Sequence, residues 1–337
     1  MSDAPTSDVT GEREDDNEGS AIRDACPCHD EQPASYRITG QPDMPVLWLD
    51  THAVSNIADA LNNEKDDDES KRNRRVIEKL TELRQDGTIF SFESDQLYEI
   101  ESSPTRVRRC LDVLSLLSQG ARTSYHHVRR EQVRVGMEAH LQRQLETAIE
   151  WCSAFDGDPF EDHSVAGKFF VRARFEPDDE EIARRRTMYG TIAAEWEKLR
   201  QSTRGGSFND RFTERLNTER LGVFETLSHR INEAIDRTAA PDGDVAGIVA
   251  GRYEMFLGPL RDWQSMGGDN LLGMLEFFRC SHHTELPLID IWSHLAAWRI
   301  VGSEPVSPSD VMDIHHISAF MPHCTHMVLD KSMINAV

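Results

Sequence analysis

The feature that most constrains this fold is a pair of short apolar segments that lie far apart in the chain and each lead into an acid. The segment 46–49 runs into Asp50, and the segment 326–329 runs into Asp330. Short apolar runs bounded by a proline or an acid are typical of buried strands. In a parallel sheet the carboxyl ends of strands share one edge, so both acids are expected at that edge.

The residues that follow the first strand alternate between helical and strand patterns. Helical spacing is seen over 53–61 and again over 75–85, where apolar residues recur on one face. A second apolar strand follows at 88–92, and a further helix is expected to open at Asp95. Strand, helix, helix, strand and helix in succession predict an α/β sheet with crossover connections.

The long middle of the chain has a different pattern. Residues 105–300 show mainly helical periodicity, and the best strand candidate among them is 169–175. The sequence therefore predicts one α/β domain, formed by 41–104 and 301–337, which is interrupted by a mostly α-helical insertion over 105–300. Residues 1–40 are rich in acidic and small residues, so we expect a disordered acidic tail.

Composition bounds the cellular context and the classes of ligand. The chain carries 59 Asp and Glu against 37 Lys and Arg, a net charge of −22, which opposes broad nonspecific binding to nucleic acid. A local basic patch remains compatible with this balance. The 6 cysteines are scattered, and neither a signal segment nor an apolar membrane span is evident in the sequence. We expect a cytoplasmic protein in a reducing compartment, with no membrane partner.

A set of carboxylates is the main candidate for chemistry. Asp313 is predicted in the first turn of a helix that Ser307 or Ser309 caps. Acids at strand ends and helix starts can meet at one sheet edge, and converged carboxylates need a cation such as Mg²⁺. The four acids at such positions are Asp50, Glu99, Asp313 and Asp330.

The order of these segments resembles that of the PIN-domain nucleases. In that family an apolar strand ends on Asp, a second strand leads to a helical acid, and a later helix starts with Asp before a last strand that ends in Asp. Residues 48–50, 90–99, 313–317 and 322–331 match these elements in turn. Thr325 stands where proteins of the family often carry another acid.

The resemblance implies a fold, a cofactor and a reaction. The fold would be a three-layer α/β/α arrangement around a parallel central sheet. The four acids would bind Mg²⁺ or Mn²⁺ as metal ligands and catalytic residues, and the protein would hydrolyse RNA or, less often, DNA, as an endoribonuclease. Lys331 and His316 are candidates for phosphate contacts, although a helical histidine such as His316 more often packs or hydrogen-bonds.

Two other functions remain open on the sequence alone. One is a catalytically inactive PIN-like scaffold whose helical insertion binds a protein partner. The other is a helical regulatory protein with a zinc site, since Cys and His cluster at 26–29, 280–283 and 323–326, and the last two clusters could bind zinc together. The alternative for these clusters is loop histidines and buried free thiols. The basic run 184–186 indicates either a nucleic-acid contact or a solvated face paired with Glu180 and Glu181.

Overall fold

The computed structural model describes residues 33–62, 67–98, 104–160, 164–165, 169–170, 179–202, 205, 207–238, 254–329 and 333. The chain divides into two compact units, Met1–Gln32 and Pro33–Val337, and all the described elements belong to the second. Within these described ranges, no helix is both long enough and apolar enough to cross a membrane.

Helices make up most of the described chain, as the helical periodicity predicts. Three short 3₁₀ turns, Asp95–Tyr98, Trp151–Ala154 and Met321–His323, lie between the longer elements. The α-helices are α1 Thr51–Asn62, α2 Asp68–Gln85, α3 Pro104–Ser118, α4 Tyr125–Gln142, α5 Asp179–Ser202, α6 Phe208–Thr238, α7 Glu254–Ser265, α8 Leu271–Arg279, α9 Ser281–Thr284, α10 Pro287–Val301 and α11 Pro308–Phe320.

Seven short strands form three small sheets in the described residues. Two of these sheets are parallel, and the third is an antiparallel pair, β5 with β6. The strands are β1 Ser35–Thr39, β2 Val46–Leu49, β3 Phe90–Ser91, β4 Glu146–Glu150, β5 Ser164–Val165, β6 Phe169–Phe170 and β7 His326–Val328. The fold is therefore mixed α/β with parallel strands, in agreement with this part of the sequence-based prediction.

The central sheet has the order β3–β2–β7, and both pairings are parallel. Leu47 pairs with His326 and Leu49 with Val328, so the two segments that lead into acids lie side by side. On its other edge, β2 pairs Val46 with Phe90 of β3. The predicted strands 46–50 and 88–92 are thus confirmed in shortened form.

Helices cover both faces of β2. Trp48 is buried with Phe320 of α11 and Val128 of α4 in one apolar cluster. Leu49 is buried on the opposite side with Val54 of α1, in a cluster that also receives α2 and α3 side chains. Alternate strand residues point to opposite faces, which explains why β2 is apolar at every position. Each large side chain buried in this way stabilises the fold by roughly 1.5–3 kcal/mol.

The second parallel sheet corrects the predicted boundary of the tail. Residues 35–39, which fall inside the predicted disordered segment 1–40, form β1 and pair in register with β4. Ser35 pairs with Glu146 and Thr39 with Glu150. A single short strand of this kind gives little periodic signal, and its partner lies more than a hundred positions away, so composition alone assigned it to the tail.

The predicted insertion shares apolar cores with both ends of the chain. Trp151 and Leu286 lie within 105–300 and pack in the same cluster as Trp48. Trp196 of α5 lies in a further cluster with Ile300 of α10, which also contains α11 side chains. The middle of the chain and its two ends therefore bury their apolar side chains together.

The helix that carries Asp313 begins as the sequence predicts. Ser307 is its N-cap, and the Ser307 hydroxyl accepts from the Asp310 N–H while the Asp310 carboxylate accepts from the Ser307 N–H. Pro308 occupies the first helical position, where its missing N–H is harmless. Asp313 falls in the second turn of α11, not in the first turn as predicted.

Candidate active site at the carboxyl edge of the parallel sheet

Asp50 lies at the carboxyl end of β2, as predicted. Its backbone N–H donates to the Val328 carbonyl of β7 at 3.0 Å, which extends the pairing of the two strands. Its Oδ1 accepts from the Ala53 N–H at 2.7 Å and so caps the start of α1. The half-buried side chain is thus held at the sheet edge in a defined orientation.

Asp313 lies on a helix that packs along β2. The His316 ring lies 6.1 Å from the Trp48 ring, and the Phe320 ring lies 5.6 Å from it. Residues three apart share one face of a helix, so Asp313 lies one turn before His316 on the face that meets Trp48. His316 itself is buried in this packing, which supports the interpretation of His316 as a packing residue.

Glu99, Asp330 and Lys331 lie outside the described residues. The described chain runs up to both acids: the 3₁₀ turn Asp95–Tyr98 ends directly before Glu99. Strand β7 ends at Val328, whose carbonyl bonds to Asp50. Of the four predicted acids, the structure therefore gives positions for Asp50 and Asp313, and the assignment of all four as metal ligands stays a prediction.

A buried amide fixes the loop that leaves β3 onto the end of β2. Gln96 is fully buried; its Nε2 donates to the Leu49 carbonyl at 2.6 Å, and its Oε1 accepts from the Ser94 N–H at 2.9 Å. Ser94 Oγ in turn accepts from the Trp48 indole N–H at 3.1 Å. These bonds hold the segment 94–96, which precedes Glu99 in the chain, against Leu49. The sequence analysis missed Gln96, because nothing in the sequence marks it as buried.

Thr325 fixes the opposite end of the same strand pair. Its hydroxyl accepts from the Val46 N–H at 2.8 Å and lies 3.1 Å from the Val46 carbonyl, to which it can donate. Val46 and Asp50 are four positions apart in an extended segment, which corresponds to roughly 13 Å. Thr325 therefore sets the register of β7 at the amino edge and lies away from the carboxyl edge.

An ion pair connects this region to α5. The Asp95 carboxylate accepts from the Tyr125 N–H at 3.1 Å and lies 3.8 Å from an Arg185 nitrogen. Both side chains are largely buried, at 9% and 11% exposure. For Arg185, the prediction of a solvated face was therefore wrong. The Asp95 partner of Arg185 lies on another element, so sequence distance could not indicate it.

Histidines and arginines gather around this ion pair. The Tyr125 ring stacks on the His315 ring at 3.4 Å. Burial, with His316 as the next cause, lowers the pKa of His315 well below its ordinary value. Burial and then the charge of Arg185 lower the pKa of His126. Both imidazoles are therefore neutral near pH 7, and the positive charge of the region resides on arginines.

A cavity of about 860 Å³ opens beside this group. Tyr125, His126 and Arg129 of α4 form one part of its wall. Further residues of α4 and helices α5 to α8 and α10 contribute the rest, and most of the side chains from these other helices are apolar. The cavity thus combines apolar surface with positively charged groups.

Soft donor atoms converge at a separate place. His140, Cys280 and His282 have ligand atoms that all lie within 4.8 Å of one another, the only such group among the residues described. The sequence analysis singled out 280–283 but paired it with 323–326, where His323 instead lies buried beside Trp151, its carbonyl accepting from the indole N–H. The tail cluster 26–29 lies outside the described residues. His140 was missed, since only helix packing brings it to Cys280.

Comparisons with known proteins identify no relative of this chain. No protein-family model matches the chain, and no curated protein and no solved structure matches it significantly. The likeness to PIN-domain nucleases therefore rests on the order of segments in the sequence.

Proposed function

We propose that this protein is a PIN-like, divalent-metal-dependent nuclease that hydrolyses phosphodiester bonds, with RNA as the preferred substrate class. Its site is the carboxyl edge of the β3–β2–β7 sheet. Asp50, Glu99, Asp313 and Asp330 are its proposed metal ligands, and Mg²⁺ or Mn²⁺ is its proposed cofactor.

The observation that carries this proposal is the parallel pairing of β2 with β7. Asp50 N–H donates to the Val328 carbonyl, so the chain that continues toward Asp330 leaves the sheet at the edge where Asp50 is held. The 3₁₀ turn before Glu99 is held to the same edge through Gln96. Ligands of open parallel sheets bind at this edge.

Helix packing on both faces of the sheet supports the three-layer α/β/α form of the proposal. Helices α1 to α3 cover one face of β2, and α4, α10 and α11 cover the other. Strand β2 lies in the centre of the sheet, between β3, which precedes Glu99, and β7, which precedes Asp330. This order agrees with a sheet whose acids meet at one edge.

The donor chemistry suits a hard cation. Asp50 is oriented by its bond to Ala53 N–H, so a carboxylate is already positioned at the sheet edge. Carboxylate oxygens are the ligands that Mg²⁺ and Mn²⁺ prefer. When bound, such a cation supplies a water of lowered pKa and neutralises charge that develops on the phosphate.

The substrate phosphate would find cationic side chains close by. Arg129 and Arg185 both influence the pKa of His126 and His315, which places their guanidinium groups near the Asp95 region. Arginine is suited to phosphate because its planar fork donates two hydrogen bonds at once. This local positive group accounts for an anionic substrate despite the net charge of −22.

Substitution of Asp50 by Asn tests the proposal without removing the cap. An Asn side-chain oxygen still accepts from Ala53 N–H, so α1 is retained while the charge is lost. We expect Mn²⁺-dependent cleavage of a fluorescently labelled single-stranded RNA to fall at least about 100-fold, or about 2.7 kcal/mol in the barrier. The matched control is Asp112→Asn on α3, an exposed acid, which should leave cleavage unchanged.

Retained cleavage in Asp50→Asn would refute the assignment of the site. Wild-type protein that is folded, cleaves neither RNA nor DNA, and shows no Mn²⁺ binding by calorimetry would instead support the noncatalytic scaffold. Capture of a protein partner through the 105–300 region would then be the next measurement.

A further inference from the structure

Three side chains with soft donor atoms meet where two helical regions touch. His140 lies in the last turn of α4, Cys280 lies between α8 and α9, and His282 lies in α9. Cys280 Sγ is 3.4 Å from His140 Nδ1 and 3.8 Å from His282 Nδ1. The group lies outside the proposed nuclease site and uses none of its residues.

These distances match the edges of a tetrahedral metal site. With a zinc–sulfur distance of about 2.3 Å and a zinc–nitrogen distance of about 2.0–2.1 Å, sulfur and nitrogen ligands lie about 3.5 Å apart. Both observed sulfur–nitrogen distances fall within about 0.3 Å of this value. The third pair, the imidazole nitrogens of His140 and His282, lies within 4.8 Å. Two edges of the site are therefore near their expected length, and rotation of the imidazole rings would adjust the third.

The orientation of His282 is fixed by its other ring nitrogen. His282 Nε2 lies 3.0 Å from the Gln144 carbonyl, to which it must donate, so its Nδ1 presents a lone pair to Cys280. A histidine ligand whose second nitrogen bonds to a carbonyl is the usual arrangement in zinc proteins. Tyr36 Oη also donates to the His282 carbonyl at 2.6 Å and holds the backbone of α9.

The sulfur of Cys280 is the point that connects this group. Cys280 Sγ faces the Phe277 carbonyl at 3.2 Å as well as the Nδ1 atoms of His140 and His282. A thiol has one proton to donate, and His140 Nδ1 donates to the sulfur or accepts from it according to its tautomer. A cation bound to the thiolate would instead receive lone pairs from all three side chains at once.

The close approach of α4 to α9 depends on a glycine. A Cβ atom at Gly136, one turn before His140, would lie 2.9 Å from the His282 carbonyl oxygen. Only glycine lets the two backbones come this near without displacement. The packing that brings His140 to Cys280 is therefore built into the sequence of α4.

We propose that His140, Cys280 and His282 form a site for a zinc-type transition metal ion that links the end of α4 to the junction of α8 and α9. Cys280 and His282 are buried, whereas His140 is half-buried and lies at the rim. The fourth position is taken by water that enters past His140. Thiolate and imidazole ligands select zinc or cobalt over Mg²⁺, so this site and the carboxylate edge take different ions.

Cobalt titration of the full chain tests the site. Cys26 and Cys28 are first replaced by Ser, so that the tail cluster contributes no thiolate. We expect this protein to bind one equivalent of Co²⁺ with a thiolate-to-cobalt charge-transfer band that equimolar Zn²⁺ abolishes. Millimolar Mg²⁺ should leave the band unchanged.

Substitutions then assign the ligands. Cys280→Ser should abolish the band, and His140→Gln, at the rim where the fold tolerates change, should weaken binding more than about 100-fold, because loss of even an indirect partner costs 10–100-fold. The matched control is Cys152→Ser, which removes an exposed thiol outside the group and should change nothing.

Three outcomes would overturn the proposal. The first is less than a tenth of an equivalent of Co²⁺ bound by the protein that lacks the two tail thiols. The second is unchanged affinity in His140→Gln, and the third is a band that survives Cys280→Ser but is lost in Cys324→Ser. None of these results depends on nuclease activity, so the two proposals fail separately.

Discussion

The carboxyl edge of the parallel sheet and the His140–Cys280–His282 group present opposite kinds of donor atom. At the edge, β2 and β7 hold carboxylate-bearing segments side by side, and carboxylate oxygens suit Mg²⁺ or Mn²⁺. In the other group, one sulfur and two imidazole nitrogens lie within 4.8 Å of one another and suit zinc. The two proposed sites would therefore take different cations.

The two sites also differ in what builds them. The position of Asp50 follows from strand topology, because the residue after a parallel strand must emerge at the carboxyl edge. The meeting of His140 with Cys280 follows from helix packing, because Gly136 lets α4 approach α9. Topology can be anticipated from the order of sequence elements, whereas close helix packing depends on tertiary contacts that sequence patterns do not reveal.

The largest expected effect is a double dissociation between the sites. Asp50→Asn should lower Mn²⁺-dependent RNA cleavage at least about 100-fold, about 2.7 kcal/mol, and leave Co²⁺ affinity unchanged. His140→Gln should weaken Co²⁺ binding and leave RNA cleavage unchanged. Cleavage assays and cobalt titrations on the same two preparations give the result, and a single variant that impairs both would show that the sites are coupled.

Loss of the buried amide at the sheet edge should be the next largest effect. Gln96→Ala leaves the Leu49 carbonyl and the Ser94 N–H without their partners, so the free energy of unfolding should fall by about 2.5 kcal/mol. Urea denaturation measures this value, and RNA cleavage should fall with it. The exposed Gln142→Ala serves as the control, within about 0.5 kcal/mol of wild type. A loss below 1 kcal/mol for Gln96→Ala would contradict the role given to this amide.

A pair of glycines tests the packing under the second site. Gly136→Ala places a methyl group 2.9 Å from the His282 carbonyl oxygen, so it should destabilise the protein by about 2 kcal/mol and weaken Co²⁺ binding. Gly190→Ala in α5 meets nothing within 4 Å and should stabilise by about 0.5–1 kcal/mol. Equal effects of both substitutions would show that the approach of α4 to α9 is not tight.

The pH dependence of stability should report His323, which the sequence analysis grouped with Cys280 and which the structure places apart from it. Burial lowers the pKa of His323 from 6.5 to about 4. Between these values the unfolded chain binds a proton that the folded chain refuses, so stability falls by about 1.4 kcal/mol per pH unit as pH decreases. Below pH 4 this contribution stops changing, and above pH 6.5 it is absent.

Comparison with a His323→Leu variant isolates that contribution. The variant lacks the titrating ring, so the gap in unfolding free energy between the two proteins should widen in favour of the variant from pH 6.5 to pH 4.5. Urea denaturation at several pH values measures the gap. Parallel pH profiles for wild type and variant would contradict the assignment to His323.

The smallest effect concerns the helix that carries Asp313. Ser307→Ala removes the cap hydroxyl of α11 and should cost about 1 kcal/mol, whereas Ser309→Ala should stay within about 0.5 kcal/mol. Thermal unfolding of both variants distinguishes the two serines that the sequence left as alternatives. If Ser309→Ala cost more, the helix start would have been misplaced.

Much of the sheet could be predicted because its strands carry local signals. The apolar run 46–49 and its acid predicted β2, and the segment that leads into Asp330 predicted β7. Their parallel orientation agrees with the expectation of a parallel sheet, whereas their direct pairing was not predicted. Strand β1 was missed because its partner β4 lies in the stretch expected to be an insertion, and no local pattern connects the two.

The sites show the same limit. Asp50 was identified because it ends an apolar run, and the structure confirms its place at the sheet edge. The burial of Arg185 beside Asp95 was not predicted, because Asp95 lies on a distant part of the chain. Neither His140 nor Gln96 is marked by a sequence pattern, because the role of each depends on contacts with elements that are distant in the sequence.

The pairing of β2 with β7 has a consequence for biosynthesis. Val46 and Thr325 are hydrogen-bonded across 279 positions of the chain, so the central strand has no neighbour on that side until almost all of the described sequence has left the ribosome. Closing so long a connection makes such contacts form late and slowly. Until then the nascent chain exposes an unpaired apolar strand edge. Such an edge can be bound by chaperones or can pair with another copy of the chain.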